Sequence, residues 1–303
     1  LLCIKLSGTT AGYFYFQSNW ESGMSYKDLL LSLANYPDST PAAAVDLAVD
    51  FAAAVGARLS AIACEIKIAV PGSFIAPAFL NVPALAETEA RRSREQAEAA
   101  LAAFQKAADN KGVFEERILG HCHAAELSGL LVEYARLRDL TIVPAEANEL
   151  ADQPDAEALI FESGRPVLIV PRAPRKSFAL NTATVAWDFS RPAARAVGDA
   201  LPLLTRAKRV HIVTVSNEKR IDTRRSGPEL AKHLARHGVE VVLEAVDAAG
   251  RPIGEVLEAA TRAHDSDLLV MGAYGHSRLR EFVLGGATRS MVNRPPLPVL
   301  LSH

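Results

Sequence analysis

The chain repeats itself once, and the repeat sets the architecture. Ala57-Arg58-Leu-Ser-Ala-Ile-Ala-Cys64 has the pattern of Lys208-Arg209-Val-His-Ile-Val-Thr-Val215. Each segment follows a helical stretch opened by a proline, Pro41 or Pro192, and the offset is 151 residues in both comparisons. Further along, Asp139-Leu-Thr-Ile-Val143 echoes Asp267-Leu-Leu-Val-Met271, and Arg165-Pro166-Val-Leu-Ile-Val170 echoes Leu297-Pro298-Val-Leu-Leu301. A period this long marks a duplicated domain rather than a solenoid unit.

Each half alternates short apolar runs with amphipathic stretches. In the second half, strands are expected at 182–187, 210–215, 239–246, 268–271 and 298–301. Helices are expected at 192–205, 228–236, 253–264 and 286–293, with Pro192 suited to a first turn and Gly238 to a helix stop. In the first half, strands are expected near 28–33, 59–66, 113–118, 140–143 and 167–170, and the longest helix near 84–108. This alternation predicts an α/β fold of two doubly wound, five-stranded parallel-sheet domains with right-handed crossovers. The boundaries read as 24–171 for the first domain, 172–181 for a proline- and basic-rich linker, and 182–303 for the second. Residues 1–23, with Tyr15-Phe16-Gln17-Ser18-Asn19, resemble the remnant of a cleaved purification tag and are set aside. The last strands, 167–170 and 299–301, would otherwise expose unpaired backbone groups. The two halves are therefore expected to pair through them as an intrachain pseudo-dimer.

Composition excludes several classes of function. The formal net charge of −2 across 303 residues gives no general attraction to nucleic acid or to an anionic membrane. The most apolar run, 41–57, is interrupted by Asp46 and Asp50, so no membrane span is expected. Cys3, Cys64 and Cys122 fit no disulfide framework and point to the reducing cytoplasm. His121-Cys122-His123 reads as a loop rather than a metal site, because three adjacent side chains do not converge on one ion. No metal ligands are assigned.

In sheets of this kind, ligands bind beyond the carboxyl ends of the strands. The residues leaving strands one, two and four of the second half are Asp188, Val215 and Gly272. The stretch Asp267-Leu-Leu-Val-Met-Gly272-Ala-Tyr-Gly275, followed by Gly285-Gly286-Ala287-Thr288, ends an apolar run on glycine and then opens a helix. Glycines admit close backbone approach, and the N–H groups of a helix N-terminus face an anion. The spacing Gly-x2-Gly-x9-Gly, with the terminal Pro-Leu-Pro-Val-Leu-Leu, resembles the nucleotide loop of the universal stress protein family. The resemblance implies binding of an adenine nucleotide, ATP or AMP, with magnesium left open. It places Asp188 at the nucleoside, the Val215 main chain at adenine, and Gly272, Gly275, Gly285, Gly286, Ala287 and Thr288 around the phosphates. It also implies a stress-response regulatory role.

One position departs from the family pattern. Gly286 stands where nucleotide binders carry serine or threonine, so a phosphate-binding hydroxyl is missing unless Thr288 or Ser290 replaces it. The first half departs further: Pro144-Ala-Glu146-Ala-Asn-Glu149 replaces the glycines, and Asn35 stands near the place of Asp188. This half is expected to have lost the site. Ser190 is the expected cap of the helix at 192, leaving Asp188 free for a ligand. No catalytic residue is assigned, and His276 is the one general-base candidate near the loop. Two alternatives stay open: an interaction or scaffold module with a decayed site, and a slow ATPase. A further homodimer of the tandem chain also stays open.

Overall fold

The computed structural model describes residues 25–35, 38–67, 82–146, 153–174, 176–216, 223–273 and 286–303, with the backbone alone at 82–86 and 223–225. The first half runs β1 (Asp28–Ser32), α1 (Ala42–Val55), β2 (Arg58–Lys67), α2 (Val82–Asn110), β3 (Phe114–His123), a 3-10 turn (Ala124–Glu126), α3 (Leu127–Arg136), β4 (Leu140–Pro144), α4 (Pro154–Glu162) and β5 (Val167–Val170). The second half runs β6 (Thr182–Ala186), α5 (Arg191–Leu204), β7 (Arg209–Ser216), α6 (Thr223–Arg236), β8 (Val241–Asp247), α7 (Ile253–Ala263), β9 (Leu268–Gly272), α8 (Gly286–Asn293) and β10 (Val299–Ser302).

All ten strands form one sheet in the order β3-β2-β1-β4-β5-β10-β9-β6-β7-β8. Pairing is parallel within each half. It is antiparallel where the halves meet, with Val299 opposite Ile169, Leu300 opposite Leu168 and Leu301 opposite Val167. Every residue of β5 is fully buried, as expected of strands covered on both faces. One core layer lies under α1, α2, α5 and α6, and the other under α3, α4, α7 and α8.

Polar contacts reinforce the junction. Arg206 donates Nη1 to Val55 O at 2.8 Å and Nη2 to Ala54 O at 2.6 Å, satisfying carbonyls at the C-terminal end of α1. Tyr26 Oη donates to Asp199 O. The stretch 172–181 is anchored, because Phe178 meets Phe51 of α1 edge-on at 5.0 Å and Leu180 packs against the same core.

Two local expectations are corrected. His121-Cys122-His123 is the end of β3, not a loop: the ladder to β2 continues as far as Lys67 opposite His123. The period-2 alternation buries Cys122 and exposes both histidines, which therefore point away from it. α6 starts at Thr223, which places Pro228 inside the helix rather than at its first turn. α4 stands where the order of the second half implies a helix, and Pro154 in its first turn together with Asp155 and Glu157 is a helix-start pattern.

Candidate functional site at the carboxyl edge of the second half

β6 runs between β7 and β9, with Ala186 opposite Val213 on one side and Met271 on the other. Asp188, Val215 and Gly272 therefore leave the same edge of the sheet within about two residues of one row. The turn after β6 is tightly specified. Trp187 N donates to Val213 O at 2.9 Å, prolonging the strand by one residue. Asp188 Oδ1 then accepts from Ser190 N at 3.0 Å, and Ser190 Oγ accepts from Ala193 N at 3.2 Å as the cap of α5. Ser190 is thus the cap, as its position suggested, but Asp188 is not free: it shapes the turn that presents the cap.

Phe189 between them has φ 59° and is 58% exposed. A bulky residue in the left-handed region is uncommon, and such strain gathers at functional turns. Its ring meets buried Trp187 at 6.0 Å, and among the described residues Trp187 Nε1 has no hydrogen-bond partner.

Gly272 has a packing reason of its own. A β-carbon there would lie 2.4 Å from Ala193 N and 2.5 Å from Pro192 C, so only glycine lets the start of α5 seat on β9. α8 opens at Gly286, where an added β-carbon would meet none of the described residues. Ala287 is half-buried, Thr288 is buried, and the Ser290 hydroxyl lies against Gly254 of α7. Ser290 is therefore turned toward α7, and it does not replace the hydroxyl missing at 286. Gly275, His276, Arg278, Arg280 and Gly285 lie outside the described residues.

The corresponding edge of the first half is closed by its own side chains. Cys64 holds the repeat position of Val215. Asn35 Nδ2 donates to Cys64 O and to Ser93 O, each at 3.1 Å, and Asn35 Oδ1 accepts from Cys64 N at 3.4 Å. The main-chain groups that would read an adenine edge are thereby consumed. Beside them lies a cavity of about 460 Å³ whose wall includes Asp38, Glu146, Asp155 and Arg172. Burial raises the Asp155 carboxyl above its ordinary range, an effect opposed by a hydrogen bond from Ser128. Burial raises Glu146 as well, with Asp155 adding to the shift and Arg172 opposing it. Burial, reinforced by Cys122, pushes the Cys64 thiol up to about 12. Carboxylates in this wall would repel a phosphate.

Structure and sequence comparisons agree with this architecture. Across 92% of the chain, the fold is similar to the crystal structure of a universal stress protein from Archaeoglobus fulgidus, covering 97% of that chain at a TM-score of 0.66 and 17% identity. It is likewise similar to a protein of unknown function from Pseudomonas aeruginosa, over 91% of this chain and 92% of that one, at a TM-score of 0.55 and 14% identity. These define a doubly wound α/β protein. Residues 180–303 match the model of the Universal stress protein family. Universal stress protein Slr1230 of Synechocystis is 41% identical over 51 residues, a match spanning 16% of this chain and 18% of that protein. Among the described residues, no helix is long and apolar enough to cross a membrane.

Proposed function

We propose that the second half binds an adenine nucleotide, ATP or AMP with or without magnesium, in a regulatory role in the cytoplasm. What supports this reading is the shared sheet edge that Asp188 and the end of β7 at Val215 leave side by side, with α8 opening at Gly286 in the connection from the neighbouring β9 to β10. Asp188 would accept from the ribose hydroxyls, since a carboxylate can accept several hydrogen bonds at once. The strand-end main chain at Val215 would meet the base. Gly275, Gly285, Gly286, Ala287 and the backbone N–H groups leading to Thr288 would surround the phosphates.

The first half, 24–171, acts as the structural partner of 182–303 across 172–181, so the tandem chain mimics a dimer and can associate further as a homodimer. Gly286 favours a second reading, an interaction module whose nucleotide affinity has declined. A slow ATPase at the same edge is a third.

The test is mass spectrometry of ligand released from gently purified protein, with a Gly275→Val variant beside it. An adenine nucleotide at about one per chain, lost in the variant, is the expected result. No nucleotide and no measurable ATP affinity in the parent would leave only the interaction module.

A further inference from the structure

His211 of β7, Glu244 of β8 and His264, which follows α7, come together on the sheet face that α7 covers. The ladder sets His211 opposite Val242 and Val213 opposite Glu244, so His211 and Glu244 are diagonal neighbours on one face. His264 Nε2 lies 2.7 Å from Glu244 Oε2. The two imidazoles stack with centroids 3.8 Å apart and an interplanar angle of 12°. One ligand atom from each of the three residues lies within 4.8 Å of the other two.

Among the described residues, the Nδ1 atoms of both His211 and His264 are buried without a hydrogen-bond partner. An orphaned buried polar atom is unfavourable, and here two occur side by side. A neutral imidazole has a lone pair to give, the form that binds metal. His264 is the C-cap of α7, at the helix end whose carbonyls favour a cation.

We propose that His211, Glu244 and His264 form a binding site for a divalent transition metal of the zinc class. Two imidazoles and a carboxylate are a common three-ligand set for zinc, leaving a fourth position for water. Bonds of about 2.0–2.2 Å require donor atoms roughly 3.2–3.5 Å apart. Binding therefore opens the imidazole stack by rotation of the side chains and lengthens the His264–Glu244 contact. Glu244 is 39% exposed, which gives the ion a route in from solvent. At about 3.3 Å per strand residue, His211 sits roughly 13 Å along β7 from Val215, so this site is separate from the nucleotide edge and independent of that reading.

The test is calorimetric titration of Zn²⁺ into the chelator-treated full chain, beside His264→Gln, Glu244→Gln and, as a control on β3, His121→Gln. One Zn²⁺ per chain is expected in the parent and in His121→Gln, with stoichiometric uptake lost in the other two while far-UV circular dichroism is unchanged. If His264→Gln fails to fold, the half-exposed Glu244→Gln variant decides: loss of uptake supports the site, and retention overturns it. Absence of Zn²⁺ uptake by the parent overturns it outright.

Discussion

Gly272 and Ala193 approach so closely that a β-carbon on the glycine would stand 2.4 Å from the Ala193 nitrogen. The end of β9 is thus the seat on which the N-terminus of α5 rests. The glycine that the family resemblance assigns to the phosphate loop is already required by helix packing. Gly272→Ala is expected to push α5 outward and destabilise the protein by about 1–3 kcal/mol, the usual cost of overpacking. Urea denaturation measures this, and an unchanged midpoint would mean that α5 shifts without penalty.

Asn35 closes the first half. It is buried, and its amide serves the Cys64 and Ser93 carbonyls and the Cys64 N–H. Asn35→Ala orphans these groups and is expected to cost about 1–3 kcal/mol. Calorimetric melting reads the loss. No gain of nucleotide binding should accompany it, because Glu146 and Asp155 remain in the cavity wall.

Gly286→Ser should be accommodated without strain, since an added β-carbon would meet none of the described residues. The added hydroxyl would supply the hydrogen bond that the second half lacks. An affinity gain for ATP of roughly tenfold is expected, corresponding to about 1.4 kcal/mol for one net hydrogen bond. Equal gains for adenosine and ATP would mean that the hydroxyl does not meet phosphate.

Asp155 makes stability depend on pH. Its folded pKa lies above the ordinary 3.8 because of burial. Its favourable contribution is fully present below the unfolded value and is lost as pH rises through the folded one. Asp155→Asn should therefore melt higher than the parent at pH 7.5, with the difference shrinking toward pH 4. A difference independent of pH would place the effect in packing instead.

Much of the fold was legible because parallel strands buried on both faces read as continuous apolar runs, as Val167–Val170 and Val299–Leu301 do. The extent of β3 was also present in the alternation of His121, Cys122 and His123, but adjacent histidines read more readily as a loop. The start of α6 was hidden because Pro228 looked like a first-turn residue. Other features depend on pairs far apart in the chain. Asn35 reaches Ser93 across 58 residues, and the packing role of Gly272 exists only once α5 is laid on β9. The His211–Glu244–His264 cluster depends on the register of β7 with β8 and on where α7 ends, neither of which leaves a spacing motif. The ligand roles of Gly275 and Gly285, like those of Asp188, Val215 and Gly286, rest on the family resemblance.

Titration of ATP into the full chain by calorimetry, with Asp188→Ala alongside, tests nucleotide recognition at this edge most directly. One ATP per chain is expected in the parent. Binding by the variant should be weaker by about tenfold or more, the scale of a lost charged hydrogen bond. Equal affinity in the two proteins, or no binding by the parent, would contradict it.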